Sequence, residues 1–524
     1  MKIFTTKVDK GFHKEHKVLI NSVLSLRAFV CTSCSLWLTN FSYASCTFIL
    51  CFVLFFNISA AQPPGMNAVG KVLNEWQSDT TFKHASYGFK AVNLSKNKVV
   101  AEYNAQKSLI PASVMKTVTV GTGFLIKGSS YLFETQLQYI GTIDPDSVLH
   151  GDVIIYGKGD PTLGSPRFKS QNPDVVFAEW VQALRAVGIA AIDGKIVADA
   201  SYFAGEPFAG GWNWGDIGNY YGAGVYGLNF MDNEYKIFFK SGKKTGDSAV
   251  IVRIEPEIPN VLFVNHVTTA AANSGDQTVI YPSIKTSEIH IRGTIPLQTD
   301  EFSIRGAMPN PPEVLADMFY NYLIKNGFDI SETAVCQARQ TENPTTFHLH
   351  KPVSYKQLAT ETMMRSINLY AEAILLSLKS QKDVSFGDNT RFVENYLKTK
   401  GLSVKGFRMT DGSGMSRSNY VSPDFLCDFL KMMHTTNSFT NFYDTFPVAG
   451  VSGTLSGMCK GTSAQNNLRA KSGTMNAVRA YCGYVNNANG DVICFSLIIN
   501  NFDCKSSVLT SKIEKLFGAL ADGK

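Results

Sequence analysis

The sequence has few cysteines and no grouping of them that would bind a metal. Four of the ten lie within the first 61 residues, and the remainder form no Cys-x-x-Cys pair: Cys336, Cys427, Cys459, Cys482, Cys494 and Cys504. The closest histidines, His348 and His350, have strand spacing and lack the further ligands that a zinc site needs. These absences exclude a zinc-ribbon domain, and a chain of 524 residues does not need a disulfide framework to fold.

An excess of charge of one sign is also lacking outside the N-terminus. The formal net charge is +6, but residues 1–61 hold six basic residues against two acidic ones, so the rest of the chain is close to neutral. Such a body lacks the basic surface that binds nucleic acid. With 44% hydrophobic and 18% charged residues and no internal repeat, the chain is expected to be globular, with several packed cores.

No charged residue occurs over residues 28–70. Within this stretch the apolar run at 46–56, CTFILCFVLFF, precedes NISAAQPP, with Ser59 and Ala61 as the small residues before a cleavage site. This layout predicts that residues 1–61 are a signal peptide and that the protein is exported to the periplasm or cell envelope. An uncleaved membrane anchor is the alternative, and a start codon assigned too early would explain the length of the leader.

The pattern of apolar residues changes twice along the rest of the chain. Residues 62–140 read as a helix, two strands and a second helix that begins near Pro111. Residues 141–345 are rich in glycine and in short alternating runs, which predicts a mostly β region of one or two domains. Residues 346–524 read as helices, with one helix over 354–380, followed by a strand hairpin and a terminal helix.

The predicted hairpin near the C-terminus raises one hypothesis about cysteine pairing. If its turn is centred on Ala488, Cys482 and Cys494 lie directly opposite one another, at a separation that a disulfide can span. The alternative interpretation is that both are small buried hydrophobic residues.

A serine followed by a lysine three residues later occurs at three places that matter: Ser95 and Lys98, Ser113 and Lys116, and Ser241 and Lys244. The first and the last pair lie in polar turns between predicted strands, where such residues are solvated. Ser113 differs, because it follows a proline that can open a helix, and residues at i and i+3 share a helical face. A lysine there can take the proton of the serine hydroxyl if its pKa is lowered.

Two further motifs follow in the sequence, Ser366-Ile367-Asn368 and Lys471-Ser472-Gly473-Thr474. Together with YGKGDPTLGS, DGSGMSRSNYVSP, VAGVSGTL and RAKSGTMNAVRAYCGYV, the ordered set resembles the serine DD-peptidases among the penicillin-binding proteins. The resemblance is to the low-molecular-mass class C carboxypeptidases and endopeptidases of the peptidase S13 type, and it runs from about residue 66 to the C-terminus.

The resemblance implies an α+β fold with a β-lactamase/transpeptidase-like domain, in which helices flank an antiparallel sheet. The separation of the first two motifs fits the large insertion that this class carries between them. The catalytic domain would then be formed by residues 62–140 and 346–524, and the β-rich region of 141–345 would interrupt it.

The resemblance also implies catalytic roles for four residues. Ser113 would attack the peptide carbonyl between two D-alanines, and Lys116 would accept its proton. The backbone N–H groups of Ser113 and Thr474 would form the oxyanion hole. Ser366 would relay a proton to the leaving amine, while Asn368 would hold the amide of the substrate and orient Lys116.

The third motif is implied to bind substrate. Lys471 would provide positive potential for the terminal carboxylate, Ser472 and Thr474 would donate hydroxyl hydrogen bonds, and Gly473 would let the substrate strand come close. The partners implied are peptidoglycan stem peptides, with β-lactam antibiotics as covalent inhibitors. The mechanism needs no metal or organic cofactor.

Two departures from the family pattern leave rate or substrate preference open. The third motif has Ser472 where threonine is usual, and Ile367 is apolar where a polar residue is commoner. Asp411 and Ser413 match a family stretch to which we assign a structural role. Three alternatives remain: a β-lactamase, an esterase of the same fold, or a non-catalytic protein that binds the cell wall.

Overall fold

The structure of the chain, a computed structural model, describes residues 67–523 except 204, 284–285, 299, 339–342 and 380–383. The predicted signal peptide of residues 1–61 lies outside the described residues. Among the residues described, no helix combines the length and the apolar character needed to cross a membrane.

Helices and strands are numbered here in chain order. The helices are α1 (Ala68–Ser78), α2 (Met115–Lys127), α3 (Pro173–Ala186), α4 (Trp214–Ile217), α5 (Pro311–Lys325), α6 (Tyr355–Arg365), α7 (Asn368–Ser377), α8 (Phe386–Thr399), α9 (Pro423–His434), α10 (Phe439–Tyr443) and α11 (Ser506–Asp522). The strands in the first half of the chain are β1 (Ser86–Asn93), β2 (Lys98–Tyr103), β3 (Thr135–Tyr139), β4 (Thr142–Ile143), β5 (Val148–His150), β6 (Val153–Gly157), β7 (Ala191–Asp193), β8 (Ile196–Asp199), β9 (Glu234–Lys240) and β10 (Val250–Glu255). The remaining strands are β11 (Leu262–Ala270), β12 (Val279–Pro282), β13 (Glu288–Pro296), β14 (Phe302–Ala307), β15 (Asp329–Ile330), β16 (Val335–Cys336), β17 (Thr345–His350), β18 (Leu468–Met475), β19 (Val478–Asn486) and β20 (Val492–Asn500).

A five-stranded antiparallel sheet combines strands from both ends of the described chain, in the order β18-β19-β20-β1-β2. Strand β1 pairs with β20 along its whole length, from Ser86 opposite Asn500 to Asn93 opposite Ile493. Nearly every residue of β19 and β20 is buried, as expected for strands that helices cover on both faces. Helices around an antiparallel sheet confirm the predicted α+β class.

Each face of this sheet has its own hydrophobic core. On one face, Cys482, Cys494 and Ile498 of the sheet pack with residues of α2, α6, α7, α8 and α9. On the other face, Tyr481 and Phe495 pack with α1 and α11. Residues that alternate along a strand point to opposite faces, which explains why the near-continuous apolar run of β20 serves both cores.

The region between the first two motifs contains four smaller sheets, in the orders β16-β8-β6-β3-β17, β15-β7-β5-β4, β10-β9-β14 and β11-β13-β12. It also contains α3 and α5, whose Phe177, Trp180 and Phe319 pack in the core of this region. The region is rich in strands, as predicted, but the sequence reasoning did not predict these two helices. Asn172 caps α3 and a proline opens it, which is a helix signal that the glycine-rich surroundings obscured.

The first of these smaller sheets spans both predicted domain boundaries. Strand β17 pairs with β3, so Thr345–His350 lies beside Thr135–Tyr139. The division into 62–140, 141–345 and 346–524 stays a prediction. The pairing shows that the strands at the two ends of the middle segment lie side by side.

The predicted register of the last hairpin was wrong. Cys482 lies opposite Ser496, and Cys494 lies opposite Tyr484. The reason is the turn, where the side chain of Asn487 accepts hydrogen bonds from the main-chain nitrogens of Asn489 and Asp491. The turn is therefore centred one residue after Ala488, and the residue opposite each cysteine shifts by two positions. The six described cysteines are free.

The single helix predicted over 354–380 was also wrong, because two helices occupy this segment. Helix α6 ends at Arg365, and α7 begins at Asn368. Ser366 lies between them with φ 62° and ψ 39°, a left-handed conformation that ends an α-helix. The break turns the chain at the second motif.

Candidate active site

Ser113 lies in a 3-10 turn, Ala112–Val114, that leads directly into α2. Lys116 is in the first turn of that helix, and its Nζ is 3.0 Å from Ser113 Oγ. Ser113 is half-buried, whereas no part of Lys116 is accessible to solvent. The structure thus brings the amine and the hydroxyl together as the i, i+3 spacing predicts.

The amine of Lys116 has two further contacts, both to distant segments. Its Nζ is 2.5 Å from Oδ1 of Asn368 and 2.8 Å from the carbonyl oxygen of Ser413. Burial lowers the pKa of Lys116 to about 7, against the opposing effects of Glu372 and Asp411. The lysine is therefore held by three oxygen atoms and is a base in the neutral range.

A hydrogen bond from the lysine of the third motif connects that motif to the second. Nζ of Lys471 donates to Ser366 Oγ at 2.9 Å and to the carbonyl oxygen of Ser472 at 2.7 Å. Lys471 is fully buried, and burial together with the charge of Lys116 lowers its pKa well below the usual value. The left-handed turn at Ser366 points its hydroxyl toward the strand that carries Lys471.

Strand β18 carries the third motif past the turn that holds the nucleophile. A Cβ at Gly473 would lie within 3.0 Å of the nitrogen of Ser113, so only glycine lets the two backbones come this close. The hydroxyl of Ser472 bonds to Thr454 at 2.7 Å, and Thr474 Oγ1 accepts from Arg479 at 2.9 Å. Gly473 is buried, and Thr474 is exposed.

A cavity of about 1280 Å³ opens at this point. Four predicted site residues line it: Ser113, Ser366, Asn368 and Thr474. Lys116 and Lys471 lie beneath them, out of contact with solvent. The opposite wall belongs to the region between the motifs, with Asn213, Asp216, Tyr220, Tyr221, Arg167, Glu234 and Arg305.

Two hydrogen bonds hold that wall against the motifs. Trp212 Nε1 donates to Oδ2 of Asp411 at 2.9 Å, and Nδ2 of Asn368 donates to the carbonyl oxygen of Tyr221 at 2.7 Å. The Asn368 amide is thereby oriented from both ends, with its oxygen toward Lys116 and its nitrogen toward Tyr221. The sequence reasoning missed Trp212 and Tyr221, although the aromatic-rich stretch GWNWGDIGNYYG was a visible signal.

Asp411 organises the loop that follows, as the structural role assigned to it requires. Its carboxylate accepts from the main-chain nitrogens of Gly414 at 2.7 Å and Ser416 at 2.6 Å, and from the side chain of Asn419 at 2.8 Å. The loop carries Ser413, whose carbonyl oxygen faces Lys116.

The other two serine–lysine pairs have a different environment. Ser95 is exposed in the turn before β2, and its Oγ accepts from the nitrogen of Val492. Lys98 and Lys244 are exposed as well. Neither lysine has the burial that lowers the pKa of Lys116. Within the described parts of the chain, no group of three or more His, Cys, Asp and Glu residues could hold a metal ion.

Comparison with known proteins gives a family and a fold. The family model described as the D-Ala-D-Ala carboxypeptidase 3 (S13) family matches residues 69–521. The D-alanyl-D-alanine carboxypeptidase DacB of Haemophilus influenzae is 26% identical over 428 residues, which cover 80% of this chain and 86% of that protein.

Solved structures agree with this relationship. The crystal structure of penicillin binding protein 4 (dacB) from Haemophilus influenzae matches with a TM-score of 0.74 and 23% identity, and covers 86% of this chain and 98% of that chain. A structure of that protein complexed with a β-lactam matches with a TM-score of 0.71 and 22% identity, over 86% of this chain and 99% of the other. The shared fold confirms the predicted fold class.

Proposed function

The chain belongs to the D-Ala-D-Ala carboxypeptidase (S13) family, and from this premise we propose that Ser113 is the nucleophile with which it hydrolyses the bond between the two terminal D-alanines of a peptidoglycan stem. The observation that carries the proposal is the set of contacts around Lys116 Nζ. A buried amine with a lowered pKa lies 3.0 Å from a half-buried serine at the edge of a large cavity.

Acylation begins when Ser113 Oγ attacks the carbonyl carbon of the penultimate D-alanine and Lys116 takes the hydroxyl proton. Because burial lowers the pKa of Lys116 to about 7, a substantial fraction of the amine is unprotonated at neutral pH. The main-chain N–H groups of Ser113 and Thr474 donate to the oxyanion of the tetrahedral intermediate, and the close contact at Gly473 supports this assignment.

The leaving D-alanine needs a proton on its amine. Ser366 Oγ relays to this amine the proton that Lys116 took from Ser113, which leaves Lys116 neutral again for deacylation; the hydroxyl lies 2.9 Å from Lys471 Nζ and lines the same cavity as Ser113. Asn368 holds the amide of the substrate and fixes Lys116 through its Oδ1 atom. A water molecule then hydrolyses the acyl-enzyme, and Lys116 again accepts a proton.

The third motif binds the terminal carboxylate of the substrate. Lys471 is buried, so it acts through its charge, and the negative charge of the bound substrate opposes the effects that lower its pKa. Thr474 is exposed in the cavity wall and donates a hydroxyl hydrogen bond to the carboxylate. Ser472 donates a second one when its hydroxyl turns away from Thr454, to which it donates in the structure.

Partners and location follow from the same proposal. The substrates are peptidoglycan stem peptides, with cleavage of D-alanine cross-links as a second activity. β-Lactams acylate Ser113 as covalent inhibitors, which the β-lactam complex of the Haemophilus influenzae protein supports. The protein acts outside the cytoplasm, in the periplasm or cell envelope, after export by the leader.

Digestion of defined wall fragments tests the function. The purified protein is incubated with a pentapeptide stem and, separately, with cross-linked dimers, and the products are identified by mass spectrometry. Loss of one D-alanine from the stem is the expected result, and conversion of dimers to monomers would show the endopeptidase activity. A Ser113→Ala variant is the negative control and should release no D-alanine.

The three alternatives give different results in companion assays. A β-lactamase would release hydrolysed penicillin with rapid turnover, and an esterase would cleave simple esters while it left D-Ala-D-Ala peptides intact. A non-catalytic wall-binding protein would give no product and no acyl-enzyme. That last alternative conflicts with the presence of every residue that the three motifs require.

A further inference from the structure

Glu372 is a fully buried carboxyl group close to the catalytic lysine, and the mechanism above does not use it. It lies on α7, whose ten residues are otherwise mostly apolar. It follows Asn368 by four residues, which puts both side chains on one face of the helix. Asn368 contacts Lys116 directly, so the same face carries a second polar group toward the site.

The carboxyl oxygens of Glu372 accept hydrogen bonds from two successive main-chain amides. Oε2 accepts from the nitrogen of Gly412 at 2.7 Å, and Oε1 accepts from the nitrogen of Ser413 at 2.9 Å. Burial and the neighbouring charge of Asp411 raise the pKa of Glu372 to about 8, while the N–H donors on both of its oxygens favour the ionised form. Such a group is costly to bury, which calls for a compensating role.

The loop that Glu372 holds is the one that contacts the catalytic lysine. The carbonyl oxygen of Ser413 lies 2.8 Å from Lys116 Nζ. On its other side, the carbonyl oxygen of Gly412 accepts from Thr119 Oγ1 at 2.7 Å. Glu372 and Thr119 therefore both hold the peptide between Gly412 and Ser413, Glu372 through its nitrogen and Thr119 through its oxygen.

We propose that Glu372 is a positioning residue for the base Lys116, which it serves by holding the Ser413 carbonyl against the amine and, in its ionised form, by providing a negative charge that keeps the amine basic enough to take a proton. The proposal rests on the assignment of Lys116 as the base in the proposed function.

The charged groups that face Lys116 give this role a direction. Glu372 and Asp411 raise its pKa, while burial lowers it, and Lys471 is the neighbouring cation. The carboxylate of Asp411 is already bonded to three donors of its own loop and to Nε1 of Trp212. Without the charge of Glu372, the effect of burial on the pKa of Lys116 is opposed less strongly. That pKa then falls, and the amine loses its proton at a lower pH.

The test measures the rate of acylation by a chromogenic cephalosporin as a function of pH in the full chain. For Glu372→Gln we expect the midpoint of the acid limb to fall by about one pH unit and the plateau rate to fall several-fold, because the amine is a weaker base. Glu372→Asp keeps the charge but draws it back toward α7, so its midpoint should fall in the same direction by less.

Thr119→Val is the matched control, because it releases the same loop without changing any charge. Its plateau rate should fall, because the loop loses a hydrogen bond, but its midpoint should equal that of the wild-type protein. A Glu372→Gln midpoint equal to the wild type, or a Thr119→Val midpoint shifted as far, overturns the proposal. If Glu372→Gln does not fold, an unshifted midpoint in Glu372→Asp overturns it instead.

The proposed function fails in a different way from this inference. If Ser113 is not the nucleophile, the wild-type protein is not acylated at Ser113 and has no acid limb to compare. If the wild-type protein is acylated at Ser113 and the variants have the same midpoint as the wild type, only the role proposed for Glu372 is refuted.

Discussion

A Cβ atom on Gly473 would lie 3.0 Å from the main-chain nitrogen of Ser113 and 2.7 Å from the carbonyl oxygen of Pro111. The strand of the third motif thus touches the turn of the first with no room for a methyl group. Since both proposed oxyanion donors, the N–H groups of Ser113 and Thr474, belong to these two segments, their separation depends on this contact.

Gly473→Ala should therefore push the two segments apart and weaken the oxyanion hole. We expect acylation by a labelled penicillin to slow on the order of 10²-fold, the cost of losing one such donor. Gly457→Ala is the control, because nothing lies within 4 Å of a Cβ at that exposed position. Equal labelling rates for the two variants would contradict the proposed geometry.

Ser113→Ala should abolish covalent labelling by penicillin, because it removes the only one of the three serines that has a buried amine beside it. Ser95→Ala and Ser241→Ala should label normally. Peptide mapping of the labelled wild-type protein should find the acyl group on the peptide that contains Ser113. Persistent labelling of Ser113→Ala would remove the nucleophile assignment.

The wild-type acylation rate should rise with pH through a midpoint near the pKa of Lys116, about 7. Below the midpoint the lysine is protonated, and the rate should fall about tenfold per pH unit. Stopped-flow acylation over a pH series measures this. A lysine with an ordinary pKa would place the midpoint near 10, which would contradict the assignment.

Lys471→Ala should weaken acylation by ligands that carry a carboxylate more than acylation by neutral esters. The buried ammonium group attracts only the anion, and because it does so without direct contact the loss should be below the ~1.5–3 kcal/mol of a hydrogen bond to a charged group. The measurement is the ratio of the two second-order rate constants in variant and wild type. Lys460→Ala, on the exposed surface, is the control. An equal loss of acylation rate for both ligands would show that Lys471 acts only through its hydrogen bond to Ser366.

All six described cysteines should alkylate after unfolding without a reductant. In the native protein, the exposed Cys336 should react first. Cys427 and Cys482 should react slowly, because burial raises the pKa of both thiols, that of Cys482 to about 12. Mass spectrometry of alkylated peptides gives the count, and an unreacted pair Cys482 and Cys494 would reveal a disulfide.

Much of the candidate site could be predicted because local spacing fixes it. Ser113 and Lys116 face each other through one helical turn, and a proline before them marks where that turn begins. The order of the three motifs likewise predicts that distant segments meet, and Asn368 and Lys471 do lie near the first motif.

Other features depend on geometry that a sequence does not express. Nothing in MMRSINLYA, which has neither glycine nor proline, marks the left-handed Ser366 that separates α6 from α7. The hairpin register depends on which side-chain oxygen closes the turn, and Asn487 does so. The hydrogen bonds of Trp212 and Tyr221 to the motif segments come from residues about 100 positions away from Ser113, so only the tertiary fold reveals them.

The pairing of β1 with β20 also governs the order in which the protein can fold. Strand β1 can pair with β2 as soon as both are made, but its other neighbour is β20, the central strand of the sheet, so the sheet cannot be completed until almost the whole chain has been synthesised. Contacts between residues so far apart in sequence close large loops and slow folding. The chain therefore stays without its complete catalytic sheet while it is being made, which delays reactivity until folding is complete.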